Sequence, residues 1–402
     1  MSAHRWIVVA DSPFLPAHGG GEREHLGFVR AAARRGRLAL LVVPGATEDD
    51  VAAYQRELGD VPVVVTARRT SPLLLVHPTK PYVVASRPAP GWLVARVAAL
   101  APDATGVVVF SYKSHRIGEV LARGLRLPAV LRQHNREGAY HRSLSAGTPG
   151  PRGLVLAWEA LRIERDERRL GRAGWLAGTA DISLGDAQWR RTTGAHRVVH
   201  VPPFALDLGP AADRAREPLA GDDAGGPRVL FLGALDVATN TEAIGWFLDR
   251  VWPVVTARHP TAVLDVVGRA PSAVLRTRLA GEPRAELAAD VPDVRPYLAR
   301  AAVAVNPAVS GSGVNIKLIE YLDAGIPLVS TSLATRGLPL TPGAHLEIRD
   351  DEAGFADAVL DLLADPEAAR AMGKRGQAHI RDVLDADVNL DRIADLLATS
   401  GR

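Results

Sequence analysis

A short stretch of the second half carries the densest chemistry of the chain: Ser310-Gly311-Ser312-Gly313-Val314-Asn315-Ile316-Lys317-Leu318-Ile319-Glu320, entered from Pro307. It joins an apolar run to a helical pattern. The first turn of the following helix presents unpaired N–H groups and the positive end of its dipole there, and glycines let further amides close on an anion. Lys317 and Glu320 are three residues apart and share one helix face. The ammonium suits a diphosphate, and the carboxylate can accept from the two hydroxyls of a ribose. The competing reading is a solvated lysine–glutamate pair behind a tight turn, the commoner outcome for an isolated Gly-x-Gly. The position between strand and helix, with Gly325-Ile326-Pro327 closing that helix, favours a phosphate site.

The first half holds a second constellation. Gly19, Gly20 and Gly21 follow a strand-like run and precede a helix expected to start near Glu22, so they too can offer amides to an anion. A dinucleotide site would need a third glycine and an acid at the end of the second strand; that strand ends in Val42-Val43-Pro44-Gly45, so nicotinamide binding is not expected. Arg132, His134, Asn135 and Glu137 cluster just past another apolar run, at the carboxyl edge where α/β sheets bind ligands. A lone histidine is more often structural than catalytic, and on the residues alone the two readings of His134 are balanced. Tyr140 would extend this surface, whereas Glu164 and Glu167 are expected to be solvated on an arginine-rich helix.

The elements that must position these groups alternate throughout, short β-branched runs with longer amphipathic patterns, which is the sequence form of an α/β protein with parallel sheets. Strands are expected at 6–10, 38–43, 62–66, 106–110, 128–132 and 197–201, with helices at 22–35 and 153–172. A second series gives strands at 229–233, 262–267, 302–306 and 327–331 and helices near 240–258, 315–324, 353–364 and 366–383. The divisions read are 1–206, a linker at 207–227 rich in Ala, Gly, Pro and Asp, 228–384, and a last helix in 385–402 packing back toward the first domain. A chain of 402 residues exceeds one hydrophobic core. No cysteine is present, so thiolate chemistry and disulfides are excluded. Lysine occurs only at 80, 113, 317 and 374. Basic residues number 48 against 45 acids, and nucleic-acid binding is not favoured. With no apolar run of spanning length and no signal-peptide core, a cytoplasmic protein is expected.

The donor stretch resembles the nucleotide-sugar motif of retaining GT-B glycosyltransferases of the family-four type, and the likeness covers nearly the whole chain. Gly233-Ala234-Leu235-Asp236 with Asn240 and Trp246-Phe247, Asp265-Val266-Val267-Gly268 with Arg269 beyond it, Val294-Arg295-Pro296-Tyr297-Leu298, and Arg336-Gly337-Leu338 resemble successive parts of its C-terminal domain. Gly19-Gly20-Gly21-Glu22-Arg23 resembles its glycine loop, and Arg132-Gln133-His134-Asn135-Arg136-Glu137 its histidine motif. Two departures stand out. The first of the family's two glutamates falls at Ser312, and the cations after the first C-terminal strand are replaced by Ala234-Leu235-Asp236.

The resemblance implies a GT-B architecture of two facing Rossmann-like domains with an interdomain cleft. It implies a hexose-type sugar moved from a UDP or GDP type donor to an acceptor hydroxyl with retention. On that reading Gly233, Gly268, Arg269, Gly311, Ser312, Gly313, Val314, Asn315, Lys317 and Glu320 bind the donor, with Lys317 supplying the missing phosphate charge. His134 and Lys317 act in catalysis, and Gly19, Gly20, Gly21, Arg132, Asn135 and Glu137 face acceptor or phosphate. No cofactor and no metal are expected, since Asp385-Ala386-Asp387 reads better as a helix cap than as a metal-binding pair. The acceptor reads as a glycan, a lipid-linked glycan or a small natural product; Trp92, Leu93, Val94 and Val97 suggest either peripheral contact with the inner membrane face or a helix covering the core. An epimerase and a catalytically silent nucleotide-binding relative are the alternatives.

Overall fold

The computed structural model describes residues 4–17, 20–195, 197–204, 225–311 and 314–398. These form two compact units, one holding the first half of the chain together with its last helix, the other holding the rest of the second half. Of the residues singled out above, Gly19, Ser312 and Gly313 lie outside the described residues, as does most of the 207–227 linker.

The first unit is built on seven parallel strands: β1 (Trp6–Val9), β2 (Leu38–Pro44), β3 (Val63–Thr66), β4 (Gly106–Phe110), β5 (Ala129–Gln133), β6 (Leu176–Asp181) and β7 (Val198–His200). Their order is β3-β2-β1-β4-β5-β6-β7. β1, β2, β4 and β5 are buried along their whole length, because helices cover both faces and leave no polar side to alternate toward. One apolar layer gathers Trp6, Phe28, Phe110 and Phe204, the other Ile7, Val97, Tyr112 and Ile163. The last helix, Ala386–Ala398, adds Leu390, Ile393, Leu396 and Leu397 to the first layer. Arg35 and Arg37 pair with its Asp387 and Asp391. Asp385 caps it, accepting from the Val388 N–H at 2.8 Å.

The second unit has six parallel strands: β8 (Arg228–Leu232), β9 (Val263–Gly268), β10 (Ala285–Ala289), β11 (Ala301–Asn306), β12 (Leu328–Ser330) and β13 (Glu347–Ile348), in the order β10-β9-β8-β11-β12-β13. β10 and β13 were not legible as strands. β10 is alanine-rich without β-branched residues, and β13 has two residues. The helix expected across 240–258 is interrupted by a π-turn at Phe247–Val251, where Pro253 supplies no N–H for the preceding carbonyls.

Both sheets are doubly wound. In each, the chain runs to one side of its first strand and then returns to the other, so the strand order reverses between β1 and β4 and between β8 and β11. Ligand crevices of open α/β sheets lie outside the carboxyl ends of the strands at such a reversal.

Candidate functional site

At the β8/β11 reversal, backbone crowding shapes the site. A Cβ on Gly268 would lie 1.8 Å from the Gly233 carbonyl oxygen, so the ends of β8 and β9 approach as only glycine allows. Lys317, one residue into the helix Ile316–Asp323, reaches back over this floor. Its Nζ donates to Asn240 Oδ1 at 2.7 Å and sits 4.7 Å from the centre of the Phe231 ring. Asn240 is itself held by donating to the Ala234 carbonyl at 2.9 Å. A Cβ on Gly233 would come within 3.3 Å of Nζ, which locates the ammonium directly above the end of β8. Burial pushes the Lys317 ammonium down to about 8, against the pull of Glu320. The lysine is therefore no solvated partner of Glu320. It fills the place beside Ala234-Leu235-Asp236 that lacks a cation of its own.

The strand that precedes the donor stretch ends in Asn306, which is fully buried; its Oδ1 accepts from Asn315 Nδ2 at 3.4 Å, and its Nδ2 finds no partner among the described residues. Thr331 donates to the Ala308 carbonyl at 2.7 Å and fixes the way out of β11. Gly311 is exposed with φ of 125°, backbone that favours glycine. Val314 packs on Gly337, where a Cβ would meet its Cγ2 at 2.7 Å. Arg269 is exposed, and its nearest carboxylate is Asp236 at 3.8 Å.

At the β1/β4 reversal the site is a dense ionic cluster. Arg132, fully buried at the end of β5, donates through Nε to Glu24 at 2.8 Å and through its terminal nitrogens to Glu24 and to the carbonyls of Val201 and Pro202. His134 hydrogen-bonds the other Glu24 oxygen through Nε2. Burial alone would raise the Glu24 carboxyl, but Arg132 and His134 overcome it and hold the group well below the carboxylate range. His25 stacks on Phe110 with ring centres 4.5 Å apart and meets His134 edge-on, while its Nε2 has no partner among the described residues. Burial, reinforced by the charge of His134, pushes His25 down to about 4.

Beside this lies a second ionic group. Lys113 Nζ stands 3.5 Å from Asp11 and 3.4 Å from Glu137. Arg87 donates to the Asp11 carbonyl. Asp11 is buried, yet the positive charges of Lys113 and Arg87 outweigh that burial and hold its carboxyl below the usual carboxylate range. Among the described residues, one group has the spacing of metal ligands, Glu24, His25 and His134. Its carboxylate is already engaged by Arg132 and His134.

Three expectations change. The helix near Glu22 starts at Gly20, so Gly20 and Gly21 are its first exposed turn. Glu167 is buried, accepting from the Glu137 and Gly138 N–H groups at 3.0 and 3.3 Å, and burial pushes its carboxyl up to about 7. Glu164 is half-buried and paired with Arg142. Of the two readings of 92–97, the core-covering helix is the one seen: in the helix Leu93–Leu100, Leu93 and Val97 are fully buried and Val94 is half-buried, with Trp92 exposed ahead of it. Asn135 is half-buried in the turn after β5, and Tyr140 lies on the surface against His141. Asp11, Glu24, His25 and Lys113 were not singled out. Asp11 carried the same signal as His134, a polar residue directly beyond a buried strand; Glu24 and His25 looked like ordinary members of an amphipathic helix.

Residues 226–365 match the family model described as "Glycosyl transferases group 1". A Klebsiella pneumoniae protein, the "Uncharacterized 44.6 kDa protein in cps region", is 25% identical over 146 residues, covering 33% of this chain and 36% of that relative, so the match spans about a third of its length. Among solved structures, Anabaena HepE in complex with UDP superposes with a TM-score of 0.66 at 14% identity, covering 98% of this chain and 100% of that one. Sucrose-phosphate synthase from Thermosynechococcus elongatus gives 0.61 at 15%, covering 98% and 99%. The α,α-trehalose 6-phosphate synthase of Burkholderia multivorans gives 0.59 at 18%, covering 99% and 97%. The fold is GT-B, and the family match lies within the second unit.

Proposed function

We propose that this chain is a nucleotide-sugar-dependent glycosyltransferase that moves a hexose-type sugar from a nucleoside diphosphate, of UDP or GDP type, to an acceptor hydroxyl with retention of anomeric configuration. The observation that carries the reading is Lys317, a half-buried ammonium held by Asn240 above the end of β8. The diphosphate lies against this lysine and the turn that begins at Gly311, and Glu320, on the same helix, holds the ribose diol. Chemistry then needs mainly a preorganised sink for the departing diphosphate charge, which a desolvated lysine and backbone amides supply. No protein nucleophile is required: a leaving phosphate oxygen takes the acceptor proton as the new glycosidic bond forms on the same face. Arg132 and Glu24 hold His134, which orients the sugar or the acceptor. Asp385 and Asp387 are occupied as a cap and in an ion pair, so that acid pair binds no metal on this reading.

The test is release of free UDP or GDP from a panel of UDP and GDP sugars, with and without acceptor extracts, followed by the anomeric coupling constant of any product. Acceptor-dependent release with retained configuration supports the proposal. Release without acceptor points to an epimerase, and nucleotide binding with no turnover to a silent relative; either result rejects it.

A further inference from the structure

From residue 61 to residue 102 the sequence has no acidic residue and five cations, Arg68, Arg69, Lys80, Arg87 and Arg96, in a chain whose acids nearly match its bases. Within this stretch the short turn Pro72–Val76 holds Leu73 and Val76 out in solvent, 77% and 73% exposed. The turn is anchored. Arg162 donates to the carbonyls of Leu75, His77 and Lys80, and its guanidinium lies over the Trp158 ring at 4.2 Å.

Arg162 belongs to the helix Pro151–Leu170, whose outward face changes character along its length. Leu154, Trp158 and Leu161 recur at helical spacing and are 74%, 46% and 61% exposed; Arg165, Arg168 and Arg169 continue the same exposed stripe. The acids of this helix are turned elsewhere: Glu159 and Glu167 are buried, and Glu164 and Asp166 are half-buried. Two elements, tied together by Arg162, thus present apolar side chains and a tryptophan with exposed arginines continuing the helix stripe.

We propose that this face of the first unit seats on an anionic lipid bilayer. Leucines, valine and tryptophan enter the headgroup boundary, and arginines meet lipid phosphates at its edge. No helix among the described residues is long and apolar enough to cross a membrane, so the contact is one of lying on the surface. Charge argues against a second copy of the chain as occupant. A two-fold interface would set this patch against itself and bring Arg165, Arg168 and Arg169 toward their own counterparts. The inference stands apart from the proposed transfer activity.

Sedimentation of the full chain with vesicles of phosphatidylcholine plus phosphatidylglycerol, against phosphatidylcholine alone, tests it, with UDP affinity measured in parallel as an independent readout. The expected result is binding to the anionic vesicles only. Arg165→Gln with Arg168→Gln and Arg169→Gln should weaken it on the order of a hundredfold, and Trp158→Ser with Leu161→Ser roughly tenfold. Leu73→Ser with Val76→Ser, on a separate element, repeats the test if the helix variant melts early. Failure to sediment, undiminished sedimentation of all three variants, or a dimer in light scattering that Trp158→Ser with Leu161→Ser splits, would each overturn the proposal.

Discussion

The two sheets share one winding and treat charge at their reversal points in opposite ways. Above β8 a single half-buried ammonium rests on an amide oxygen and an aromatic face, with Glu320 on the same helix. Outside β1, β4 and β5, buried Arg132, Glu24 and Asp11 join Lys113, Glu137 and His134 in ionic contact, with Arg87 donating to the Asp11 carbonyl. The first arrangement leaves cation strength unspent for a ligand anion. The second has already satisfied most of its charge internally, and its members hold one another in place. Substitutions should therefore separate into those that cost stability and those that cost turnover.

The largest effect expected is on stability, at Arg132. Arg132→Met takes the guanidinium from the buried Glu24 carboxylate and leaves it to His134, and breaking a buried pair from one side costs about 3–5 kcal/mol. Adding Glu24→Gln should restore much of it, because the uncompensated charge is gone. Urea denaturation of the two variants decides the matter. A single-variant loss below about 1 kcal/mol, the size of an exposed ion pair, would mean that this cluster is no more internally committed than a surface pair.

Lys317→Met should do the reverse. Loss of a preorganised charge-stabilising group costs roughly a hundredfold or more in kcat/KM, while thermal stability holds or rises because no ammonium need be desolvated. The pH dependence sharpens this. With Lys317 depressed to about 8, the free chain carries the charge below pH 8 and loses it as pH rises through that value, so UDP affinity should fall above pH 8. Stability moves the other way: the cost of burying the ammonium is present below pH 8 and is relieved between 8 and the unfolded lysine value. A UDP affinity flat from pH 7 to 9.5, or a Lys317→Met variant with full turnover, would remove Lys317 from the donor site.

Both sites could be approached from sequence, but unevenly. Strand runs such as Val107-Val108-Val109 announce themselves because burial on both faces demands continuous apolar residues, and polar residues just beyond them mark the edge where ligands bind. That is how His134 and Lys317 came into view. What stayed hidden depends on contacts between distant segments. Glu24 lies 108 residues before Arg132, and nothing in its helix marks it as that guanidinium's partner. Glu167 read as solvated because its neighbours on the helix are arginines, yet it faces inward to cap the helix Glu137–Ala146. Asn240 gives a sequence no reason to be paired with a lysine 77 positions away.

A smaller effect separates the histidines. His25 is held down near 4 by burial and by His134, so between about pH 6.5 and 4 the unfolded chain takes up a proton that the folded chain refuses. Stability should be lost as pH falls through that window, by about 1–3 kcal/mol. Glu167, raised to about 7, works against this over part of the range, since its contribution is lost as pH rises from the unfolded glutamate value toward 7. The difference between the wild type and His25→Phe isolates the histidine, because phenylalanine keeps the stack on Phe110 and removes the unpartnered nitrogen. Parallel pH profiles for the two proteins would show that His25 titrates normally.

The smallest stability change is expected at Gly21. It sits exposed in the first turn of the helix Gly20–Arg34, and an added Cβ meets nothing within 4 Å. Gly21→Ala should leave the melting midpoint unchanged or raise it, with a gain of at most about 1 kcal/mol from helix propensity. Turnover is the informative readout. If the turn receives a phosphate or an acceptor, a methyl group there obstructs the approach, and activity falls although the fold is no weaker. Full activity in Gly21→Ala would reduce the glycine run to a helix start and leave the ionic cluster as the first unit's whole contribution to the chemistry.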